Sequence, residues 1–511
     1  MKDIDFHYLL NHSLMEERLL QAFPEKDFIH LELPLSTMPC ILQGLPRDLD
    51  PQSASFFQLK PGFTDLKVLK KRILDKPILH LFKDKCHHSD QRLLTITYVV
   101  PGGFGDFFAQ RHLKRILKKK FDGMQILSLI FLESSYCNKV QNLEDEIIIP
   151  FTSQESLKPE NFSPFVLSLL QQAFLIFEIP TPFPFNKELK RLLPISTLFL
   201  QIGEYGYIQS KDYRPSSSTR CLGLHFLEYG LFEEEINNRS LEDLSQKDLA
   251  CYLFSKVAAQ DYQKSHNLYF SYLATEYGSV FYFYLIIYLS CQTNKMIDFV
   301  CVDIGPFLKL IEQEINRLKT LNIRTIEIFY KNQISRIHLS TKGLDIRIIH
   351  TGHLGHADFQ LLLNASQEPV GVRGNLSFSE ALSLKKIFFY DPLSHNYPLY
   401  YGLLSLAKIH SDKVLNWMQL FKPQKNPQQA AYEGSCILQD KNFKTAFENL
   451  CCFILKNLKA EDHLINIVFK AFYQSRHPLI KKKEQELTAL FLEEKISFFE
   501  LSQALKKEII S

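Results

Sequence analysis

The fold is decided by residues 93–132, LLTITYVVPGGFGDFFAQRHLKRILKKKFDGMQILSLIFL. An apolar, β-branched run is followed by three glycines and an aspartate, then by residues with helical spacing and a second apolar run. Strands that are apolar throughout are typical of parallel sheets with both faces covered by helices. The stretch therefore predicts a strand–loop–helix–strand unit of a parallel α/β sheet.

The same alternation continues through the first half of the chain. Strand-like runs lie at 146–151, 194–202 and 220–227, and a helix is expected at 164–177. Residues 1–90 carry many prolines and no strong period, so we predict an N-terminal extension there, followed by a first Rossmann-type domain at 91–262.

A second α/β block opens near His266. It alternates short apolar runs with helical segments, as a second Rossmann-type domain at 263–405 would. The predicted strands are 268–274, 298–304, 325–330, 336–339, 344–351 and 368–373, and the predicted helices are 307–321 and 356–366. After about residue 400 the strand pattern ends, so 406–511 is predicted to be helical.

Bulk composition excludes several classes of protein. The chain has 511 residues, 46% of them hydrophobic, and 42 are phenylalanines, which indicates a folded globular protein. The net charge of +3 does not indicate a nucleic-acid or membrane-surface partner. The longest apolar stretch, 278–291, is short for a membrane span and predicts a buried helix, so no transmembrane segment is expected.

The compartment is inferred from the N-terminus and the cysteines. The first residues are rich in charge and do not resemble a signal peptide. Ten cysteines without repeated spacing favour reduced thiols, so a cytoplasmic location is predicted, with secretion as an effector without a signal peptide left open. Three adjacent residues, Cys86, His87 and His88, cannot easily converge on one ion, so no metal or cofactor is predicted.

The glycine loop is the first candidate site. Gly102, Gly103 and Gly105 allow the backbone to adopt positive φ and to approach a ligand closely. Asp106 stands where a helix cap or a catalytic carboxylate would stand, and both interpretations remain open. The loop matches neither the dinucleotide-binding glycine pattern nor a phosphate loop with its lysine. The basic helix that follows indicates either a solvated face or an anion-binding face.

The second candidate site lies within residues 356–391. A strand ends at Arg373 and Gly374, a polar turn follows, and a helix is expected from about Ser379. Backbone amides at Ser377, Phe378 and Ser379 would face the carboxyl edge of the sheet and could bind a diphosphate with help from the helix dipole. The alternative is an ordinary strand–turn–helix connection with a serine cap.

These residues resemble a known family. The acidic-aromatic pair at 358–359, the strand and the segment RGNLSF at 373–378 resemble the C-terminal half of bacterial protein-arginine rhamnosyltransferases. The stretch GGFGD at 102–106 looks like the D-N-F-G-D loop of that family, and LYFSY at 268–272 is similar to its S-L-F-x-Y strand. The resemblance covers roughly 93–405 and implies an α/β fold of the GT-B type, with two Rossmann-type domains facing across a cleft.

The resemblance also implies residue roles. Asp106 would be the general base beside the acceptor, in a loop with Gly102, Gly103, Phe104 and Gly105. Gly102 occupies the position of the family's other aspartate, and Asn375 that of an important glutamate. The implied donor-binding residues are Arg373, Gly374, Asn375, Ser377, Phe378, Ser379, Asp358 and Phe359.

Three more residues are predicted to lie in the cleft. Glu204 and Glu228 each begin a Glu-Tyr-Gly tripeptide just after a predicted strand, where loops often carry function. Tyr272 ends the strand-like segment that is similar to the start of the family's donor domain.

The resemblance implies a function of inverting, metal-independent transfer of a sugar from a nucleoside-diphosphate donor. The acceptor could be a protein side chain, a glycan or a small molecule. A catalytically inactive GT-B scaffold that acts as a binding or effector protein is the main alternative, favoured by the residues at 102 and 375. Another enzyme of nucleotide sugars or phosphate ligands, such as an epimerase or a pyruvyltransferase, is the third.

Overall fold

A computed structural model of the protein describes two compact units. The first contains the described residues up to Phe232 and from Lys456 onward, and the second is Glu233–Leu455. The described residues are 92–99, 105–121, 123–140, 142–194, 196–203, 205, 219–224, 230–234, 236, 239–330, 333–352, 354–393 and 396–461, with scattered positions beyond. The predicted N-terminal extension, 1–90, lies outside them, and Cys86, His87 and His88 lie outside them with it.

The first unit is built on a parallel sheet. Its strands are β1 (Arg92–Tyr98), β2 (Gln125–Glu133), β3 (Glu146–Phe151), β4 (Ala173–Glu178), β5 (Leu198–Gly203) and β6 (Thr219–Cys221). All pairs are parallel, in the order β3-β2-β1-β4-β5-β6. This is the strand order of the dinucleotide-binding Rossmann fold, with its change of direction between β1 and β4.

The predicted helix at 164–177 is wrong in its second half. Helix α2 is Pro164–Gln172, with Ser163 as its N-cap and proline in its first turn, whereas residues 173–178 form the central strand β4. Every residue of β4 is buried between its neighbours β1 and β5. An apolar run that follows a helix without a turn residue has no signal separating the two, so periodicity extended the helix. The other helices of this unit are α1 (Gly105–Lys120) and α3 (Asn186–Arg191).

The basic face of α1 pairs with carboxylates of its own unit. Arg111 forms two hydrogen bonds to Glu146, from Nε to Oε1 at 2.9 Å and from Nη2 to Oε2 at 2.6 Å. Lys114 and Lys118 both pair with Asp145, and their ammonium groups hold the pKa of that carboxyl below its usual range despite partial burial. These contacts fix α1 against the start of β3.

The second unit contains a seven-stranded sheet. Its strands are β7 (His266–Ser271), β8 (Met296–Cys301), β9 (Ile323–Tyr330), β10 (Gln333–His338), β11 (Leu344–His350), β12 (Val370–Val372) and β13 (Phe388–Tyr390). They lie in the order β10-β9-β11-β8-β7-β12-β13, all parallel except the edge strand β10, which forms an antiparallel hairpin with β9. The direction of winding changes between β7 and β12.

Helices surround this second sheet. They are α4 (Gln246–Leu253), α5 (Ala259–Ser265), α6 (Glu276–Leu289), α7 (Gly305–Leu318), α8 (His356–Ala365), α9 (Asn375–Ser383), α10 (Tyr397–His410), α11 (Asp412–Gln419), α12 (Pro427–Leu438) and α13 (Phe443–Asn457). The apolar stretch at 278–291 lies mainly in the buried helix α6, as predicted. In the part of the chain that the structure describes, no helix is long and apolar enough to cross a membrane.

Residues 239–265 pack on the second sheet. The hydroxyl of Tyr262 in α5 donates to Oδ2 of Asp298 at 2.6 Å, and Nη1 of Arg347 lies 3.5 Å from the same oxygen. Burial raises the pKa of Asp298 to about 6 although Arg347 and Tyr262 oppose the shift. Because residues 239–265 pack on the second sheet, they belong to the second compact unit, which begins at Glu233. The sequence pattern places the start of the second domain at 263.

The prediction of an α/β chain with two Rossmann-type units is confirmed by the two predominantly parallel sheets. Helices α11–α13 lie within the predicted helical region at 406–511, as far as the structure describes it. The cleft between the two domains stays a prediction.

Candidate functional site

The candidate site of the second unit lies at the carboxyl edge of its sheet. In open parallel sheets, ligands bind outside the carboxyl ends of the strands where the direction of winding changes. Here that point is between β7 and β12. β7 is followed directly by Tyr272, and β12 is followed directly by Arg373.

Arg373 is held over an aromatic ring at this point. Its guanidinium carbon lies 4.4 Å from the centre of the Tyr272 ring, which is a cation–π contact. Nη1 lies 4.0 Å from Oδ2 of Asp303, which follows β8, and the two side chains are 24% and 46% exposed. A pair so long and so exposed is weak, and the arginine remains available to an anion.

Phe359 in α8 belongs to the same cluster. Its ring meets Tyr272 edge-on at 5.6 Å and Phe270 edge-on at 4.8 Å. Tyr272 therefore touches both Phe359 and Arg373, and the structure brings three of the predicted site residues together.

Helix α9 begins at the same edge, earlier than predicted. Its N-cap is Gly374, with φ +72°, and the helix runs from Asn375 rather than from about Ser379. The first amides of a helix have no partner within it, so the groups that face the edge belong to Asn375, Leu376 and Ser377. The expected set of amides, beginning at Ser377, was two residues late because residues 375–377 were interpreted as a polar turn, whereas they form the first turn of α9 behind the positive-φ glycine that caps it.

The other predicted residues of α9 have packing roles. The Ser377 hydroxyl donates to the backbone oxygen of Arg373. Phe378 is fully buried, with its ring 5.3 Å from that of Phe388 and 5.2 Å from that of Tyr390. Ser379 is also fully buried. The side chains of Phe378 and Ser379 therefore point into the unit, not to its edge.

Substitution of Gly374 by alanine is expected to destabilise the protein by about 1–2 kcal/mol. A Cβ there would meet nothing within 4 Å, but the residue has φ +72°, so the effect is conformational, not steric. Urea unfolding of Gly374→Ala measures it. Gly352→Ala is the matched comparison, because Gly352 has φ +66° and equally open space. A Gly374→Ala variant as stable as the wild type would contradict the left-handed cap.

The carboxylate of Asp358 is engaged within the second unit. Tyr252 donates its hydroxyl to Oδ2 at 2.8 Å, and Nη1 of Arg239 lies 3.5 Å from Oδ1. Partial burial, with the Asp358 carboxylate beside it, raises the pKa of Tyr252 to about 12. These contacts tie α4 to α8. A contact of Asp358 with a nucleobase stays a prediction of the resemblance.

The structure also reveals a pair that the sequence analysis missed. Nε2 of His356, in the first turn of α8, lies 2.7 Å from Oε1 of Glu380 in α9. Glu380 is fully buried, and burial raises its pKa while His356 partly opposes the shift. Glu380 is the one charged residue in the segment SFSEALSL, 377–384, and this was the signal that the sequence offered for a buried, paired carboxyl group.

A second helix at this edge already faces a carboxylate. Asp391, directly after β13, accepts hydrogen bonds from the amides of Ala274 and Thr275 at 2.8 Å each and from the Thr275 hydroxyl at 2.5 Å. The Thr275 hydroxyl also caps α6 by accepting from Gly278 N. An anion would be repelled there by Asp391, so the start of α9 is the better anion site at this edge.

In the first unit, Asp106 lies at the corresponding point of the sheet. It sits in the first turn of α1, and the hydroxyl of Thr181, which follows β4, donates to Oδ1 at 3.2 Å. The contact joins the segments that follow β1 and β4, between which the winding changes. Gly105 is the exposed first residue of α1. The other predicted residues of this side lie outside the described residues: Gly102, Gly103, Phe104, Glu204 and Glu228.

A buried carboxyl group ends β4. Glu178 is fully buried, accepts from the amide of Phe183 at 2.9 Å, and lies 2.6 Å from Nδ2 of Asn186 through each of its oxygens. Burial raises the pKa of Glu178 to about 7, against the opposing effects of these donors and of Lys190. The sequence analysis missed it, although a single acid inside the apolar run FLIFEI is a signal.

Among the described residues, no group of three or more His, Cys, Asp or Glu side chains is placed to hold a metal ion. The described cysteines are free thiols. The predicted absence of a metal and of a cofactor stays an expectation.

Neither a protein-family model nor a curated protein sequence matches this chain. The N-terminal domain of trehalose-6-phosphate phosphatase from Candida albicans aligns with a TM-score of 0.41 at 7% identity, over 76% of this chain and 98% of that one. A glycosyltransferase from Rickettsia africae aligns with 0.40 at 11% identity, over 76% and 100%. MurG from Acinetobacter baumannii aligns with 0.38 at 11% identity, over 74% and 99%. At these scores the likenesses carry no argument about substrate or reaction.

Proposed function

We propose that the chain is a GT-B-type glycosyltransferase that moves a sugar from a nucleoside-diphosphate donor to an acceptor. One observation carries the proposal: Arg373 lies over Tyr272, beside the start of α9, at the point where the second sheet changes direction. A guanidinium matches phosphate oxygens, and the first amides of a helix bind anions. Sugar transfer needs this compensation of charge because the nucleoside diphosphate leaves as an anion.

The reaction course we propose is inverting and independent of metal. The acceptor's nucleophile bonds to the anomeric carbon as the bond from that carbon to the diphosphate oxygen breaks. The electron pair leaves with the nucleoside diphosphate, and the nucleophile's proton passes to Asp106 as general base. Its position in the first turn of α1, at the switch point of the first sheet, supports this role.

We propose no single chemical class of acceptor. The resemblance to protein-arginine rhamnosyltransferases supports a protein acceptor, but Gly102 and Asn375 replace two of that family's acidic residues. Oδ1 of Asn375 accepts a hydrogen bond at 3.3 Å from Nδ2 of Asn396, the N-cap residue of α10, so the Asn375 side chain contacts the start of that helix. That observation favours the alternative function, an inactive scaffold that binds a nucleotide or a partner.

Nucleoside diphosphates are expected to raise the melting temperature of the protein, with one base preferred. A panel of UDP, dTDP, GDP, CDP and ADP tests this by thermal unfolding, followed by calorimetry of the best ligand. Arg373→Ala should weaken binding at least about tenfold, the loss of one charge-assisted contact. Arg324→Ala is the matched control, since Arg324 is an exposed arginine paired with Asp345 at the amino end of β9. Absence of any shift, or equal losses in both variants, would refute the donor site.

Slow hydrolysis of the donor sugar separates an enzyme from a scaffold. The wild type should release free sugar from the matching nucleotide sugar, and Asp106→Asn should lose this turnover while it still binds the nucleoside diphosphate. Binding without turnover in the wild type would support the scaffold instead.

A further inference from the structure

The buried carboxyl group of Glu178 anchors the segment that follows β4, residues 179–185. The carboxylate receives the amide of Phe183, inside the segment, and the side-chain amide of Asn186, at the start of α3. At its other end the segment continues the sheet, since the amide of Ile179 donates to the backbone oxygen of Ile96 at 2.9 Å. Three contacts from fully or largely buried groups therefore hold a short loop at the carboxyl edge.

Thr181 lies on this anchored segment and reaches the proposed base. Its hydroxyl donates to Oδ1 of Asp106 at 3.2 Å, from the opposite side of the switch point. An aspartate side chain rotates about two bonds, and a hydrogen bond from a fixed group selects among its rotamers. Threonine is a neutral donor, so its hydrogen bond orients the carboxylate and itself adds no cation beside it.

We propose that Thr181 is a positioning residue for Asp106, held in place by the 179–185 segment that Glu178 anchors. This inference rests on the proposed function, in which Asp106 accepts the acceptor's proton. A general base must lie within hydrogen-bond reach of the proton that it removes, and a small displacement of it lowers the rate greatly. Thr181 acts through Asp106 and makes no contact with the reacting atoms in this proposal.

Three variants test the role by donor turnover. Thr181→Val keeps the shape of the side chain and removes the donor, and it should lower kcat about tenfold with little change in KM for the nucleotide sugar. Loss of a donor to the carboxylate should also move the acidic limb of the kcat profile to higher pH. Thr181→Ser should restore both kcat and the profile. Thr197→Val is the matched control, because Thr197 donates to the backbone oxygen of Ala173 at 2.7 Å in the same unit.

The outcomes are separable. Two results would overturn the positioning role and leave the proposed function intact. In the first, turnover is lost in Asp106→Asn but unchanged in Thr181→Val; in the second, Thr181→Ser turns over no faster than Thr181→Val. A wild type that binds nucleotide without turnover overturns both. Melting temperatures of the Asp106→Ala and Thr181→Val single and double variants show whether the contact exists in solution, because each change removes the hydrogen bond and additive shifts would contradict it.

Discussion

Replacing Gly278 with alanine is expected to lower the free energy of unfolding by about 3–5 kcal/mol. A Cβ at this position, in the first turn of α6, would lie 2.7 Å from both the carboxylate carbon and Oδ1 of Asp391. The carboxylate has no easy way to move, because it accepts hydrogen bonds from both amides at 274 and 275 and from the Thr275 hydroxyl. Moving it leaves these donors without their acceptor, and a charged acceptor is worth more than a neutral one.

Gly305→Ala is the matched control for this prediction. Gly305 also begins a helix at the carboxyl edge of the second sheet, but a Cβ there would meet only Oδ1 of Asp303, at 3.4 Å. The control should change stability by less than about 1 kcal/mol, and it is expected to be neutral or slightly stabilising. Urea unfolding with the slope held common measures both variants. If Gly278→Ala is as stable as Gly305→Ala, the packing of Asp391 against α6 is not as described.

Periodicity predicted the strands well where each is a separate apolar run between polar turns. The run at 146–151 coincides with β3, and 344–351 exceeds β11 by one residue. It failed at 173–178, where α2 passes directly into β4 without glycine or proline. A strand buried on both faces has no alternation to distinguish it from a buried helix, so only the pairing with β1 and β5 identifies it.

The candidate site was predictable only where chemistry and strand ends coincide in the sequence. Arg373 ends the predicted strand 368–373, whereas Tyr272 lies inside the predicted strand 268–274. The structure ends β12 and β7 just before these two residues, so both lie at the carboxyl edge where parallel strands end together. Thr181 has no such signal, because its partner Asp106 is 75 residues away and the hydrogen bond depends on β1 and β4 being neighbours. The start of α9 depended on one backbone angle at Gly374, which composition does not encode.

Glu178→Gln is expected to gain stability relative to the wild type as pH rises. Burial raises the pKa of Glu178 to about 7 from the ordinary 4.5, so the native state holds this proton more tightly than the unfolded chain does. The sign follows from linkage: between those values the native state binds more protons, and the wild type therefore loses stability as pH rises through the window. A shift of that size corresponds to about 3 kcal/mol. Glutamine does not titrate, so the variant lacks this loss.

The measurement is the difference in unfolding free energy between Glu178→Gln and the wild type, from urea titrations between about pH 4 and pH 8. A constant offset is expected from the altered contact with Asn186, and the rise of the difference with pH carries the test. Asp298→Asn should rise with the same sign but level off at lower pH, because the pKa of Asp298 is raised to about 6. A flat difference for Glu178→Gln would mean that the carboxyl is solvated. In that case the anchoring of the 179–185 segment, and with it the support for Thr181, would lose its physical basis.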